Sequence, residues 1–258
     1  MVMAASGALR IAMWSGPRNI STALMRSWGN RPDTSVCDEP LYAYYLKATG
    51  LPHPGAGEVI RWHENDWQKV VEKLLGDVPD GKRVFYQKHM AHHLLPEIDR
   101  SWLARVTNCF LIREPREMLT SLIRITPHPT ATDTGLPQQV EIFELVRRQT
   151  GGVPPVLDSR DVLNDPPRLL RLLCERVGIE YLAEMLHWTP GPRATDGIWA
   201  RHWYKEVETS TSFRPFQPKS DPLPEEFGGL YDECREYYEH LYQHRLGAGG
   251  SGEPQVKG

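Results

Sequence analysis

The chain has 258 residues, a formal net charge of −3, 40 % hydrophobic residues and 24 % charged residues, a globular balance that suits one larger domain or two small ones. The slightly acidic total argues against general nucleic-acid binding and leaves room only for a local basic site. No apolar run approaches membrane-spanning length, the opening MVMAASGALR has no signal-peptide pattern, and Cys37, Cys109, Cys174 and Cys234, far apart and without a C-x-x-C, fit reduced thiols in a cytoplasmic protein.

Residues 9–28, LRIAMWSGPRNISTALMRSW, read as strand, tight turn and helix. Leu9, Ile11 and Met13 make a short apolar run, Ser15-Gly16-Pro17 punctuates it, and Leu24, Met25 and Trp28 recur at helical spacing. Asn19 or Ser21 can cap the new helix. A helix N-terminus offers unpaired N–H groups and the positive end of a dipole, and Arg18, Ser21 and Thr22 add a guanidinium and two hydroxyls, so the turn suits a phosphate-like anion. It is not a Walker loop, because the second Gly and the Lys of G-x-x-x-x-G-K-[ST] are missing.

Residues 34–37 are a second short strand, ending in Asp38-Glu39-Pro40, with Pro40 at the first turn of a helix over LYAYYLKA. Glu39 therefore stands where strand gives way to helix, the edge at which open parallel sheets bind ligands; a carboxylate there also suits a plain helix N-terminus. Residues 50–57 read as a loop and 66–75 as an amphipathic helix. Residues 84–88 are a third strand ending in Lys88-His89, and residues 106–112 a fourth, fully buried, running into Arg113 and a helix that carries Ser121. Residues 125–137 are a turn-rich loop too long for a simple connector, either a cover for a ligand or a disordered stretch. A helix over 140–148, a short strand ending at Asp158 and a helix over 166–177 closed by Gly178 follow. A short helical turn over 181–188, a loop over 190–197, a helix over 199–207 and a last helix over about 225–245 complete the chain, with a flexible tail over 246–258. Alternating strands and helices predict one α/β domain over 1–245, with three layers and a mostly parallel sheet of about five strands between helices.

Four strand ends thus deliver Arg18, Glu39, Lys88 and Arg113 to one edge. Cations with a carboxylate suit transfer of an anionic group, and Arg113 with Ser121 can hold a second phosphate. SGPRNIST followed by FLIREPREMLTSL resembles the nucleotide-dependent sulfotransferases. Pro17, Arg18, Asn19, Ile20, Ser21 and Thr22 stand where that family has its phosphosulfate loop. Arg113 and Ser121 match its strand-end Arg and the Ser eight positions on, and residues 157–166, LDSRDVLNDP, resemble its Y-E-D-L-x-x-D-P stretch. The resemblance covers about residues 9–205.

It implies a P-loop-like fold that binds 3′-phosphoadenosine 5′-phosphosulfate, with no metal, and passes sulfate to a small-molecule hydroxyl or amine. Arg18, Ser21 and Thr22 would hold the phosphosulfate, Arg113 and Ser121 the 3′-phosphate, and Arg193 with Gly197 would close over that phosphate as in the family's late loop. Glu39 fits the family's carboxylate base, with Lys88 and Arg18 neutralising the transferring charge; His89, one position out of the family's K-x-H register, is the alternative base. The sequence departs from the family in three places: Ile20 for the usual Gly, which demands an ordinary backbone there, Arg18 for the commoner Lys, and Ala23 where cytosolic members stack a Trp on adenine. A nucleotide kinase, or a binder that has lost transfer, are the competing readings. His89, His92 and His93 lack a third-ligand motif for zinc, and Tyr42, Tyr45 and Tyr86 are candidates to shape the acceptor pocket.

Overall fold

The computed structural model describes residues 7–218 and 221–247. Five strands among them, β1 (Leu9–Ser15), β2 (Thr34–Asp38), β3 (Val84–Met90), β4 (Thr107–Ile112) and β5 (Val156–Asp158), form one sheet in the order β2-β3-β1-β4-β5. Every neighbouring pair is parallel, so all five strand C-termini share an edge. Strand order reverses at β1, the switch point where a doubly wound sheet leaves a crevice.

The helices are α1 (Ser21–Gly29), α2 (Tyr42–Thr49), α3 (Ala56–Trp62), α4 (Trp67–Leu75), α5 (Pro115–Leu122), α6 (Ala131–Thr134), α7 (Leu136–Thr150), α8 (Ser159–Asn164), α9 (Pro166–Val177), α10 (Ala200–Trp203), α11 (Lys205–Glu208) and α12 (Gly228–Tyr242). The period-2 alternation of β1 separates two cores. Ala12 and Trp14 face Val70 and Leu74 of α4, Phe143 and Val146 of α7, and Leu241 of α12. Ile11 and Met13 face Leu24, Met25 and Trp28 of α1 and Leu169, Leu170 and Leu173 of α9. The molecule is therefore a three-layer α/β sandwich. A smaller cluster of Tyr42, Tyr45, Leu46, Val59, Trp199 and Tyr204 ties α2 and α3 to the α10 region.

Several elements differ from the sequence reading. Residues 125–137 are not one loop: Thr130 and Asp133 form a reciprocal capping box for α6, and Gly135, at φ 73°, turns the chain straight into α7, which starts at Leu136 rather than Val140. The expected loop at 50–57 ends in α3, a helix that buries only Val59 among its seven residues and so shows no apolar stripe. The single helix expected over 199–207 is two short ones, broken at Tyr204, and 181–188 contains only a 3-10 turn at Ala183–Leu186. Leu246, where the tail was to begin, donates its N–H to Val156 O at 2.8 Å, tying it to β5; the tail beyond Gly247 lies outside the described residues.

Candidate active site

The turn after β1 is braced from behind. A Cβ on residue 16 would lie 2.1 Å from the Thr134 carbonyl oxygen, so only glycine allows the α6–α7 junction to lie against the turn. Arg18 sits in the left-handed region at φ 55°, a conformation that costs a side-chain-bearing residue about 1–2 kcal/mol. Ile20 is at φ −91°, the ordinary backbone its branching requires. Asn19 does not cap α1. Its amide donates to Leu111 O at 3.0 Å, stitching the turn to β4, and its side-chain oxygen accepts from Ile20 N at 2.8 Å. No side chain caps α1, and Ser21 is buried while Pro17, Arg18, Asn19, Ile20 and Thr22 are half-buried. The first N–H groups of α1 thus keep their capacity for an anion.

Arg18 and Arg113 meet. Arg113 Nη1 donates to the Arg18 carbonyl at 2.6 Å, and Arg18 Nε donates to Ser121 Oγ at 2.7 Å. A chain separation of 103 positions between Arg18 and Ser121 closes into one hydrogen bond because β1 and β4 are neighbours and α5 folds back from the end of β4. Arg113 also pairs with Glu117 one turn along α5, and Glu117 in turn accepts from Arg160, at the start of α8.

The second group surrounds Lys88. Its ammonium donates to Asp38 Oδ1 at 2.8 Å, Glu39 Oε1 at 2.6 Å and Tyr204 OH at 2.7 Å. Lys88 and Asp38 side chains are each 1 % exposed and Glu39 is 12 % exposed. Glu39 stands at φ 40°, held by its N–H on Lys88 O at 2.9 Å and its carbonyl on Tyr42 N at 3.0 Å; two strained residues in the chain's two candidate reacting groups fit storage of strain at a working site. Burial alone would depress the Lys88 pKa, but the Asp38 and Glu39 carboxylates outweigh it and hold the ammonium charged. Burial pushes the Glu39 carboxyl up and the Asp38 charge adds to this, only partly offset by Lys88. Two carboxylates share one cation. Asp38 also takes Gly197 N at 3.2 Å and the Tyr204 hydroxyl, so Glu39 is the less firmly held of the two.

Not every expected residue joins these groups. His89 lies on β3 next to Lys88, so its side chain points to the opposite sheet face. It is 1 % exposed, stacked on Trp14 with ring centroids 4.4 Å apart, and burial pulls its pKa down to about 3; it fills the core beside Trp102 rather than reaching the sheet edge. Arg193 is also elsewhere. Its guanidinium packs beside Gly29, at the far end of nine-residue α1 from the turn, roughly 13 Å away along the helix. The physical reason is the buried pair Arg26–Asp196, 2.6 Å long, which anchors the 193–196 turn through Arg193 N on Asp196 Oδ2. Gly197 belongs to the Lys88 group rather than to the arginines, and a Cβ there would run into the Trp199 ring at 2.1 Å. Tyr86 is core, stacked on Trp28 at 5.2 Å. Tyr42 and Tyr45 pack against His93 and His53 beside Glu39's helix. Among the described residues no three His, Cys, Asp or Glu side chains group as a metal site, and no helix is long and apolar enough to cross a membrane.

Sequence reasoning missed Asp38, Tyr204, Glu117 and Arg160. Glu117 was visible as the (i, i+4) partner of Arg113 and Asp38 as Glu39's neighbour, whereas nothing local marks Tyr204, 116 positions from Lys88. A cavity of about 540 Å³ runs along the outer side of β2, with Glu39, Ala43, His63, Leu74, Phe85 and Trp199 in its wall.

The comparisons with known proteins agree with this architecture. A family profile described as "Sulfotransferase domain" matches residues 9–234. The branched-chain-amino-acid aminotransferase-like protein 1 of Arabidopsis thaliana is 37 % identical over 237 residues, 89 % of this chain and 42 % of the relative; this chain therefore spans about two fifths of that relative's length. Among solved structures, the sulfotransferase domain of the Synechococcus olefin synthase superposes with TM-score 0.54 at 17 % identity, covering 90 % of this chain and 96 % of that one. A sulfotransferase from Alicyclobacillus acidocaldarius superposes with TM-score 0.53 at 12 % identity, covering 95 % and 99 %.

Proposed function

This chain belongs to the sulfotransferase domain family, and from that premise we propose that it transfers a sulfuryl group from 3′-phosphoadenosine 5′-phosphosulfate to a hydroxyl or amine of a small molecule, with Glu39 as the base. The observation that carries the reading is the convergence of Arg18, Arg113 and Ser121 through bonds of 2.6 and 2.7 Å beside an uncapped helix N-terminus. A nucleotide anionic at both ends fits this edge, because the guanidinium groups and the free N–H groups of α1 present donors to two phosphates without displacing an apolar contact.

The donor would supply an activated sulfur–oxygen bond. The turn residues Pro17 to Thr22 position its 5′ end, with Arg18, Ser21 and Thr22 as donors, and Arg113 and Ser121 take the 3′-phosphate. Glu39 has Oε1 on Lys88 and the Tyr204 hydroxyl and, among the described residues, no hydrogen-bond partner on Oε2, so it can accept the acceptor's proton as the acceptor oxygen or nitrogen bonds to sulfur and the bond to the 5′-phosphate breaks. Lys88, kept charged by its carboxylates, holds Glu39 in place and opposes the negative charge that builds on the transferring group. The cavity beside β2 delivers the acceptor to Glu39: its volume suits a small ligand, and its wall mixes apolar side chains such as Leu74, Phe85 and Trp199 with charged ones such as Glu64, Lys73 and Asp77.

Glu39→Gln tests this. Labelled-sulfate transfer to a panel of alcohols, phenols and amines should fall roughly 10²–10⁴-fold, the usual weight of a general base, while calorimetric binding of 3′-phosphoadenosine 5′-phosphate stays within about twofold because Gln keeps the shape. Retained transfer by the variant rules out Glu39 as base. A wild type that binds the nucleotide yet sulfates no acceptor favours a binding protein, and magnesium-dependent ATP turnover favours a kinase.

A further inference from the structure

The donor proposed above carries a 3′-phosphate of about two negative charges, and Arg193, the second cation that the family's late loop would bring to it, lies beside Gly29 instead. Another guanidinium stands in the right place. Register pairs Ile112 with Asp158, so Arg113 and Arg160 leave adjacent strands at the same edge and level. Glu117 lies between them: Oε2 accepts from Arg113 Nε at 3.4 Å and Nη2 at 3.3 Å, and Oε1 accepts from Arg160 Nη2 at 3.1 Å. Ser121 is one helical turn further along the same face of α5 and is held by Arg18.

We propose that Arg160 is the second guanidinium of the 3′-phosphate subsite, and that the Glu117 carboxylate holds that subsite's place until a phosphate displaces it, so that the Arg113–Glu117–Arg160 bridge sets the preference for nucleotides phosphorylated at the 3′ position. The inference rests on the donor reading above. The bonds to Glu117 are longer than the 2.7–2.9 Å of strong charge-assisted contacts, as a provisional partner's would be. Glu117 is the carboxylate that bonds both guanidiniums, with Asp158 adding its charge near Arg160, and a phosphate with three oxygens and higher charge satisfies both forks. Glu117 is only 11 % exposed whereas Arg160 is 49 % exposed, and its guanidinium lies over the Phe216 ring at 4.8 Å, which supports its plane while leaving the head free to turn. Glu117 and Arg160 act on a bound ligand's charge and not on the reacting atoms.

Calorimetry with 3′-phosphoadenosine 5′-phosphate and with adenosine 5′-phosphate, which lacks only the 3′ group, reads the subsite directly. Arg160→Ala should weaken the bisphosphate about tenfold, the worth of one charge-assisted hydrogen bond, and leave the monophosphate unchanged; that unchanged binding also shows the variant is folded. Arg160→Lys, which keeps charge but loses the fork, should fall between. Glu117→Gln should tighten the bisphosphate severalfold, again without effect on the monophosphate. A wild-type preference for the bisphosphate that survives Arg160→Ala but not Arg113→Ala overturns the role of Arg160 and leaves the donor reading standing. Weaker bisphosphate binding by Glu117→Gln overturns the place-holding role. A wild type that does not distinguish the two nucleotides overturns this inference and the donor reading together.

Discussion

Two charged groups lie on one sheet edge and are built on opposite principles. Around Lys88, a single ammonium answers two carboxylates inside the protein, with Tyr204 and Gly197 N completing the shell. Around Arg113, the guanidiniums of Arg113 and Arg160 share the Glu117 carboxylate and that of Arg18 takes Ser121, in a half-open setting. The first group has more carboxylates than cations and is largely buried; the second has more guanidiniums than carboxylates and opens at its rim. Inside a low-dielectric shell, an excess carboxylate binds protons more tightly. At a partly solvated edge, excess guanidinium attracts anions and never titrates. Under the reaction proposed above, the difference would separate its labour: one side to take a proton, the other to hold phosphate.

The largest test of that contrast is Lys88→Met. It strands Asp38 and Glu39 against each other without a cation, and loss of one partner from a buried ion pair costs about 3–5 kcal/mol. Denaturant unfolding should show that loss, and transfer should disappear with it; a change below about 1 kcal/mol would mean that the group is more hydrated than its burial indicates. Arg113→Ala strikes the other side. It should weaken 3′-phosphoadenosine 5′-phosphate about 10- to 100-fold by calorimetry, from the loss of charge-assisted bonds, with little effect on stability because the residue is partly exposed.

Acid gives the sharpest division. Burial lowers the pKa of His89 to about 3 and of His92 to about 4, and lowers that of His93 as well, with Asp133 opposing and His53 reinforcing the shift at His92. Below their ordinary 6.5 the unfolded chain takes up protons that the folded chain refuses, so stability falls as pH drops from about 6.5 towards 4, by up to about 1.4 kcal/mol per unit for each histidine. Glu39 and Asp158, whose pKa values burial raises, work in the opposite direction. Melting temperature should therefore decline over that window, while nucleotide affinity at pH 5.5, measured below the melting point, should hold because arginine keeps its charge. Equal losses of both would erase the distinction.

The positions of the turn, Glu39 and Arg113 were legible because each follows a strand marked by its own neighbours, with an apolar run before and a Pro or Gly beside, while Lys88 stands near the end of the apolar run of β3 and Ser121 on the helical stripe after Arg113. Parallel order then brings such ends together whatever lies between. Arg193 was misplaced because its position depends on the Arg26–Asp196 bond, which spans 170 positions and leaves no local pattern. His89 failed for a different reason. A one-residue shift on a strand reverses the face, so a histidine adjacent to the right lysine points into the core. The 125–137 stretch looked irregular since its Pro, Thr and Gly content is that of a loop, yet the same Thr130, Asp133 and Gly135 are capping residues for two helices.

The close approach of the Thr134 carbonyl to Gly16 has a bearing on transplantation and on descent. A side chain at position 16 and a displaced back wall are interchangeable injuries, so the turn over 16–20 cannot be moved into another scaffold as a cassette without the stretch that leans on it. Across relatives, an insertion upstream of α7 would have to be absorbed before Thr130, and a chain that lost its glycine at 16 should have remodelled residues 131–136 in the same lineage.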